Sequence, residues 1–106
     1  MARIERFEDI DGWKLARKVT NRVYDVSDVG RFSKDFALVN QIRRASVSIM
    51  SNIAEGFERD GNKEFLQFLS IAKGSCGEVR AQLYLALDRN YIDRSDTWRT
   101  WRQRIL

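Results

Sequence analysis

This 106-residue sequence predicts an all-α fold, an antiparallel up-down-up-down four-helix bundle with a short fourth helix, on three observations. Apolar residues recur at spacings of three and four over three long stretches, which is the periodicity of one helix face. Proline is absent, so no ring closure kinks a helix or removes a backbone donor. The six glycines are left to punctuate the chain. A chain of this length suits one domain, 1–106, and burial alone stabilises so small a core only moderately.

The first helix has Asp9 or Asp11 as its expected cap and carries Leu15, Ala16, Val19, Val23 and Val26 toward Gly30. Phe7, just ahead of it, is placed to staple the entering chain. Ser33 or Asp35 is placed to cap the second helix, whose apolar line is Leu38, Ile42, Ala45, Ile49, Ile53 and Phe57. Gln41, Ser46, Ser48, Ser51 and Asn52 run close to that line. Such side chains do little for helix propensity, so hydrogen bonding to a neighbouring helix is the expected reason for them.

Glu55 to Asn62 marks a helix end and a reversal, with Gly61 suited to a positive φ, Asn62 as the expected cap and Glu64 in the next first turn. The third helix follows through Phe65, Leu69, Ala72, Cys76, Val79, Leu83 and Ala86, a seam suited to bundle packing near 20°. Phe68, Ile71, Leu85 and Leu87 widen that face enough for a second neighbour. Gly74 and Gly77 each cost about 1 kcal/mol against alanine in a helix, which suggests close approach of another backbone. Tyr91 and Ile92 are expected over the bundle end. Ser95 and Asp96 then open a fourth segment with Trp98, Trp101 and Ile105 on one side, about 18 Å long against about 37 Å for its predecessors. The uneven cover favours self-association.

Composition excludes several functions. Histidine is absent, which removes the commonest acid/base group and metal ligand together. Cys76 is the one cysteine and reads as a plain buried thiol. Ser46, Ser48 and Ser51 near Lys73 carry no specific catalytic signal. Glu55, Glu58, Glu64 and Glu78 lack the histidines of a carboxylate metal bundle, so no metal, cofactor or enzymatic activity is expected. The start, Met1 to Gly12, is charged from residue 3 and no apolar run approaches a membrane span, so a cytoplasmic protein off the membrane is expected.

The net charge is +4, and 14 of the 19 basic residues are arginine, whose donor fork matches phosphate. Arg17, Lys18 and Arg22 form one group and Arg43 and Arg44 another. Together these five are the candidate nucleic-acid-binding residues, for RNA or DNA. Lys63, Lys73 and Arg80 extend the positive face, and Arg99, Arg102 and Arg104 make a third group. The competing reading is that these cations pair with Glu55, Glu78 and the aspartates, which leaves a structural or protein-interaction module with a protein partner.

The segment 36–93 carries QIRRA, SNIAEG, KEF and a Gly-Ser-x-x-Glu spacing in order, and Trp13, Lys14, Ala16, Val23 and Tyr24 fit upstream. It closely resembles the bacterial four-helix bundle family first known from open reading frames in intervening sequences of 23S ribosomal RNA genes. That resemblance implies subunits associating as a homo-oligomer, a ring of five with a central channel. It also implies kinship with the accessory variability protein of diversity-generating retroelements, a basic pentamer that binds nucleic acid and a reverse transcriptase. By the same likeness Gln41, Ser51, Asn52, Glu55, Gly56, Gly74, Ser75 and Glu78 set bundle and subunit geometry, and the helix patterns add Ser48 and Gly77 as structural residues. Met50 stands where the family commonly has proline, which is expected to soften a kink. The chain is expected to fall somewhat short of the usual fourth helix, which bears on the ring more than on the bundle.

Overall fold

The computed structural model describes residues 3–93. Among them are three α-helices and no strand: α1 (Asp11–Ser27), α2 (Phe36–Glu58) and α3 (Asn62–Asp88), with single 3₁₀ turns at Phe7–Asp9 and Phe32–Lys34. The expected fourth helix, with Trp98, Trp101 and the third arginine group, lies outside the described residues. No helix among the described residues is long and apolar enough to cross a membrane.

The helices alternate in direction, and α2 is shared. Both α1 and α3 pack along it and hardly touch each other. Side-chain pairs show the antiparallel register: Gln41 meets Gln82 and Ser48 meets Ser75, so numbers fall on α3 as they rise on α2. One core runs through the bundle, built from Ala16, Val19 and Val23 of α1, Leu38, Ile42, Ile49 and Ile53 of α2, and Ala72, Val79, Leu83 and Ala86 of α3. Burying each large aliphatic side chain contributes about 1.5–3 kcal/mol. The expected apolar line of α2 is buried from Leu38 to Ile53, with Phe57 half-buried. Helix α2 is continuous through Met50.

The wider face expected of α3 is distributed differently. Phe65, Phe68, Leu69, Cys76 and Leu87 are half-buried, while Ile71 and Leu85 stand about half exposed, at 53% and 47%. They lie on the outward side, away from the line through Ala72 and Val79 that meets α2. No backbone among the described residues approaches Gly74 or Gly77; a Cβ at either would meet nothing within 4 Å.

Caps follow local geometry. Asp35 caps α2, its Oδ1 accepting the Leu38 N–H at 3.2 Å. The cap residue of α1 is Ile10, which has no side-chain acceptor, because Asp9 is taken into the preceding 3₁₀ turn and Asp11 is already helical. Likewise Asn62 is the first residue of α3 and Gly61, at φ 105°, occupies the cap position. At the far end Asn90 takes φ 59°, and the N–H groups of Asn90 and Tyr91 donate to the carbonyls of Leu87 and Ala86. That left-handed residue closes α3 and turns Tyr91 back over the bundle end. Tyr91 stacks on buried Phe32 at 5.1 Å and donates its hydroxyl to Asp35 Oδ2 at 3.0 Å.

Two polar contacts lock α1 onto α2. Thr20, buried, donates its hydroxyl to the carbonyls of Ala16 at 2.8 Å and Ser46 at 3.1 Å. Ser27, buried, donates to the Val23 carbonyl at 2.6 Å and accepts from Arg43 Nε at 2.9 Å. These two hydroxyls are tolerated inside a small core because each is paired in this way.

Candidate nucleic-acid interface

The solvent face of α1 collects cations because its basic residues fall at helical spacing. Lys14, Lys18 and Arg22 are four apart, so they form one row with about 6 Å between neighbours, and Arg17 lies beside it. With Trp13, Asn21 and Arg6 they line one open hollow of about 920 Å³, whose acidic lining residues are Glu8, Asp9 and Asp25. Asp9 is engaged by Arg6 at 3.5 Å. Lys14 and Lys18 make no ion pair among the described residues. Trp13 is half-buried. Phe7 meets its ring at 68° and 5.1 Å, and the Arg17 guanidinium lies over it at 5.8 Å. The staple expected of Phe7 is this contact.

Arg17, Lys18 and Arg22 are thus brought together, and Lys14 joins them. Lys14 is an addition to the group expected from sequence, although its place one turn before Lys18 is a sufficient signal. Trp13 carries no such signal, since an aromatic at the start of an amphipathic helix reads first as core.

Arg43 and Arg44 are separated by the helix they share. Arg43 turns toward α1, where it donates to Ser27 Oγ and, at 3.5 Å, to the Tyr24 carbonyl, and its guanidinium lies 4.6 Å over the Tyr24 ring. A further contact, 3.8 Å to Asp28, is to a largely exposed carboxylate and adds little. Arg44 lines a different hollow, about 350 Å³, between α2 and α3. The two hollows share no lining residue.

The second hollow gathers several of the residues expected to set bundle geometry. Gln41, Ser48 and Glu78 line it with Arg44, Ala45 and Ser75. Ser75 donates to Ser48 Oγ at 2.8 Å, and Asn52 Nδ2 donates to the same Ser48 oxygen at 3.0 Å and to its carbonyl at 2.8 Å. Gln82 Nε2 reaches Gln41 Oε1 at 3.4 Å. Arg44 and Glu78 have no ion pair among the described residues. Glu55 pairs with Arg59 at 2.9 Å on the exposed side of α2. Gly56 is buried against α3, facing Phe65 and Phe68.

Among the described residues no group of histidine, cysteine and carboxylates is arranged to hold a metal. Burial pushes the Cys76 thiol up to about 11 from an ordinary value of 9.0, partly opposed by nearby Arg80. Because the thiolate is the reactive form, its fraction at neutral pH is about a hundredfold below that of a free cysteine. Slow alkylation of native Cys76 by iodoacetamide, restored on denaturation, is the expected result.

The model of the 23S rRNA-intervening sequence protein family matches residues 8–104, nearly the whole chain. The chain belongs to that family. The match takes in the row on α1 as well as the α2–α3 seam. No curated protein matches the chain.

Proposed function

We propose that this member of the family is a non-enzymatic, cytoplasmic factor that binds nucleic acid through the cationic face of α1, as an accessory to an RNA-linked or mobile element. The observation that carries the reading is the row of Lys14, Lys18 and Arg22 with Arg17 beside it. These are four cations on one helix face, and Lys14 and Lys18 are free of ion pairs among the described residues. Such a row holds phosphates without reading bases. Arg44 supplies a second point of attachment on the other side of the chain. Arg43 serves the reading as a clamp on α1, since its donors are committed to Ser27 and Tyr24.

The same reading holds that the fold is completed as a four-helix bundle by residues 95–106 and that the subunits assemble, with a homopentamer as the favoured state. The exposed Ile71 and Leu85 of α3, with Arg44 and Glu78 beside the α2–α3 seam, support an assembly surface there. The same surface is what a protein-interaction module would use, and that is the alternative function.

Binding to RNA and DNA across a salt series, with mass by light scattering in the same buffers, tests the proposal. Affinity is expected to fall log-linearly with salt. Replacing Lys14, Arg17, Lys18 and Arg22 together by glutamine is expected to reduce the slope by about 0.7 to 0.9 for each phosphate no longer neutralised. A stable oligomer that binds neither nucleic acid at low salt would exclude this function and leave the protein-interaction module.

A further inference from the structure

We propose that the hollow on α1 takes single-stranded nucleic acid, with phosphates along Lys14, Lys18 and Arg22 and one base stacked on the Trp13 indole. This rests on the nucleic-acid reading above and extends it to the type of strand and to a stacking residue.

The composition of the hollow carries the inference. A cation row alone serves any polyanion, duplex included. An indole at the end of the row adds nothing for a duplex, whose base faces are hidden in the stack, but gives an unpaired base a π-surface. Trp13, half-buried and packed against the core, still lines the hollow, where the Arg17 guanidinium lies over its ring at 5.8 Å and Phe7, tilted at 68°, does not stack on it. When a base takes that place, Arg17 is displaced toward the neighbouring phosphate. Acidic residues bound the row: Asp25 follows Arg22 by about one turn, and Glu8 and Asp9 precede Trp13. Between them the ladder from Lys14 to Arg22 is about 12 Å long, the length of about four stacked nucleotides of one strand.

The test measures fluorescence anisotropy of labelled oligouridine, oligothymidine and a mixed-sequence duplex on the full chain, with inorganic polyphosphate as a base-free competitor. Single strands are expected to bind more tightly than the duplex at matched salt, and Trp13→Leu to weaken single strands by roughly five- to a hundredfold while leaving the duplex unchanged. Trp13→Phe retains a ring and is expected to recover most of the lost affinity. Because Trp13 packs on Phe7, circular dichroism must confirm that the leucine variant is folded; if it is not, Arg17→Gln, on an exposed position, is compared with Trp13→Phe instead. In that comparison Arg17→Gln is expected to weaken single strands and duplex alike and Trp13→Phe to keep the single-strand preference. Oligouridine against oligothymidine separates RNA from DNA within the same chemistry. Equal binding of duplex and single strand, or polyphosphate displacing both equally with Trp13→Leu without effect, overturns the inference and leaves polyanion binding standing. Absence of binding by every probe at low salt removes both.

Discussion

Replacement of Phe32 by alanine is expected to destabilise the fold by about 3–5 kcal/mol, the cost of deleting a fully buried aromatic and leaving a cavity. Phe32 is 1% exposed and sits between the end of α1 and the start of α2. Its ring is the platform for Tyr91, whose hydroxyl reaches the Asp35 carboxylate, and Asp35 in turn caps α2. Removing the ring therefore loosens three elements at one corner. The denaturant midpoint measures the loss. Tyr91→Phe keeps the stack and gives up only a hydrogen bond, so it is expected to cost about 1 kcal/mol. Equal losses for the two variants would show that the hydrogen bond, not the stack, holds the corner.

Gly56→Val is expected to cost about 3 kcal/mol, the upper part of the range for overpacking. A Cβ at Gly56 would lie 2.6 Å from Phe68 Cβ and 3.1 Å from Phe65 Cδ1. Phe68 Cβ is fixed to the backbone of α3 and cannot swing away, so the two helices must part. Glycine costs about 1 kcal/mol of helix propensity here and close packing more than offsets it. The contrast is Gly74, where a Cβ meets nothing: Gly74→Ala is expected to raise stability by up to about 1 kcal/mol. A fall in oligomer mass for the same variant would mark that face as a contact between subunits. Thermal melts of the two variants, with light scattering for the second, are expected to shift in opposite directions. A shared direction would mean that the α2–α3 approach at Gly56 is looser than these distances.

The helices and their order are legible in the sequence because Leu38, Ile42, Ala45, Ile49 and Ile53 repeat at a period that only a helix buries on one side. Asp35 is legible as a cap. Asn62, Asp9 and Asp11 mislead, because a cap is chosen by backbone angles at one residue, and Gly61 and Ile10 hold those angles. Adjacent Arg43 and Arg44 read in sequence as one phosphate-binding pair. Which of them faces α1 depends on Ser27 and Tyr24, 16 and 19 residues away, and no local pattern encodes that distance. The meeting of Ser48 with Ser75 is equally hidden, since it depends on the register that Gly56 and Phe68 impose at the turn. Gly56 stands out in sequence only through likeness to a family, while its physical reason, the Phe68 contact, needs the third dimension.

Helix α2 lies between two helices that hardly touch. Among the described residues a disturbance on α1 then reaches α3 through α2, whose buried isoleucines resist movement. Replacements on the Lys18 face and at the Arg44–Glu78 seam should consequently sum independently in double-mutant cycles. Substitutions at one of these surfaces should then trade off little against substitutions at the other.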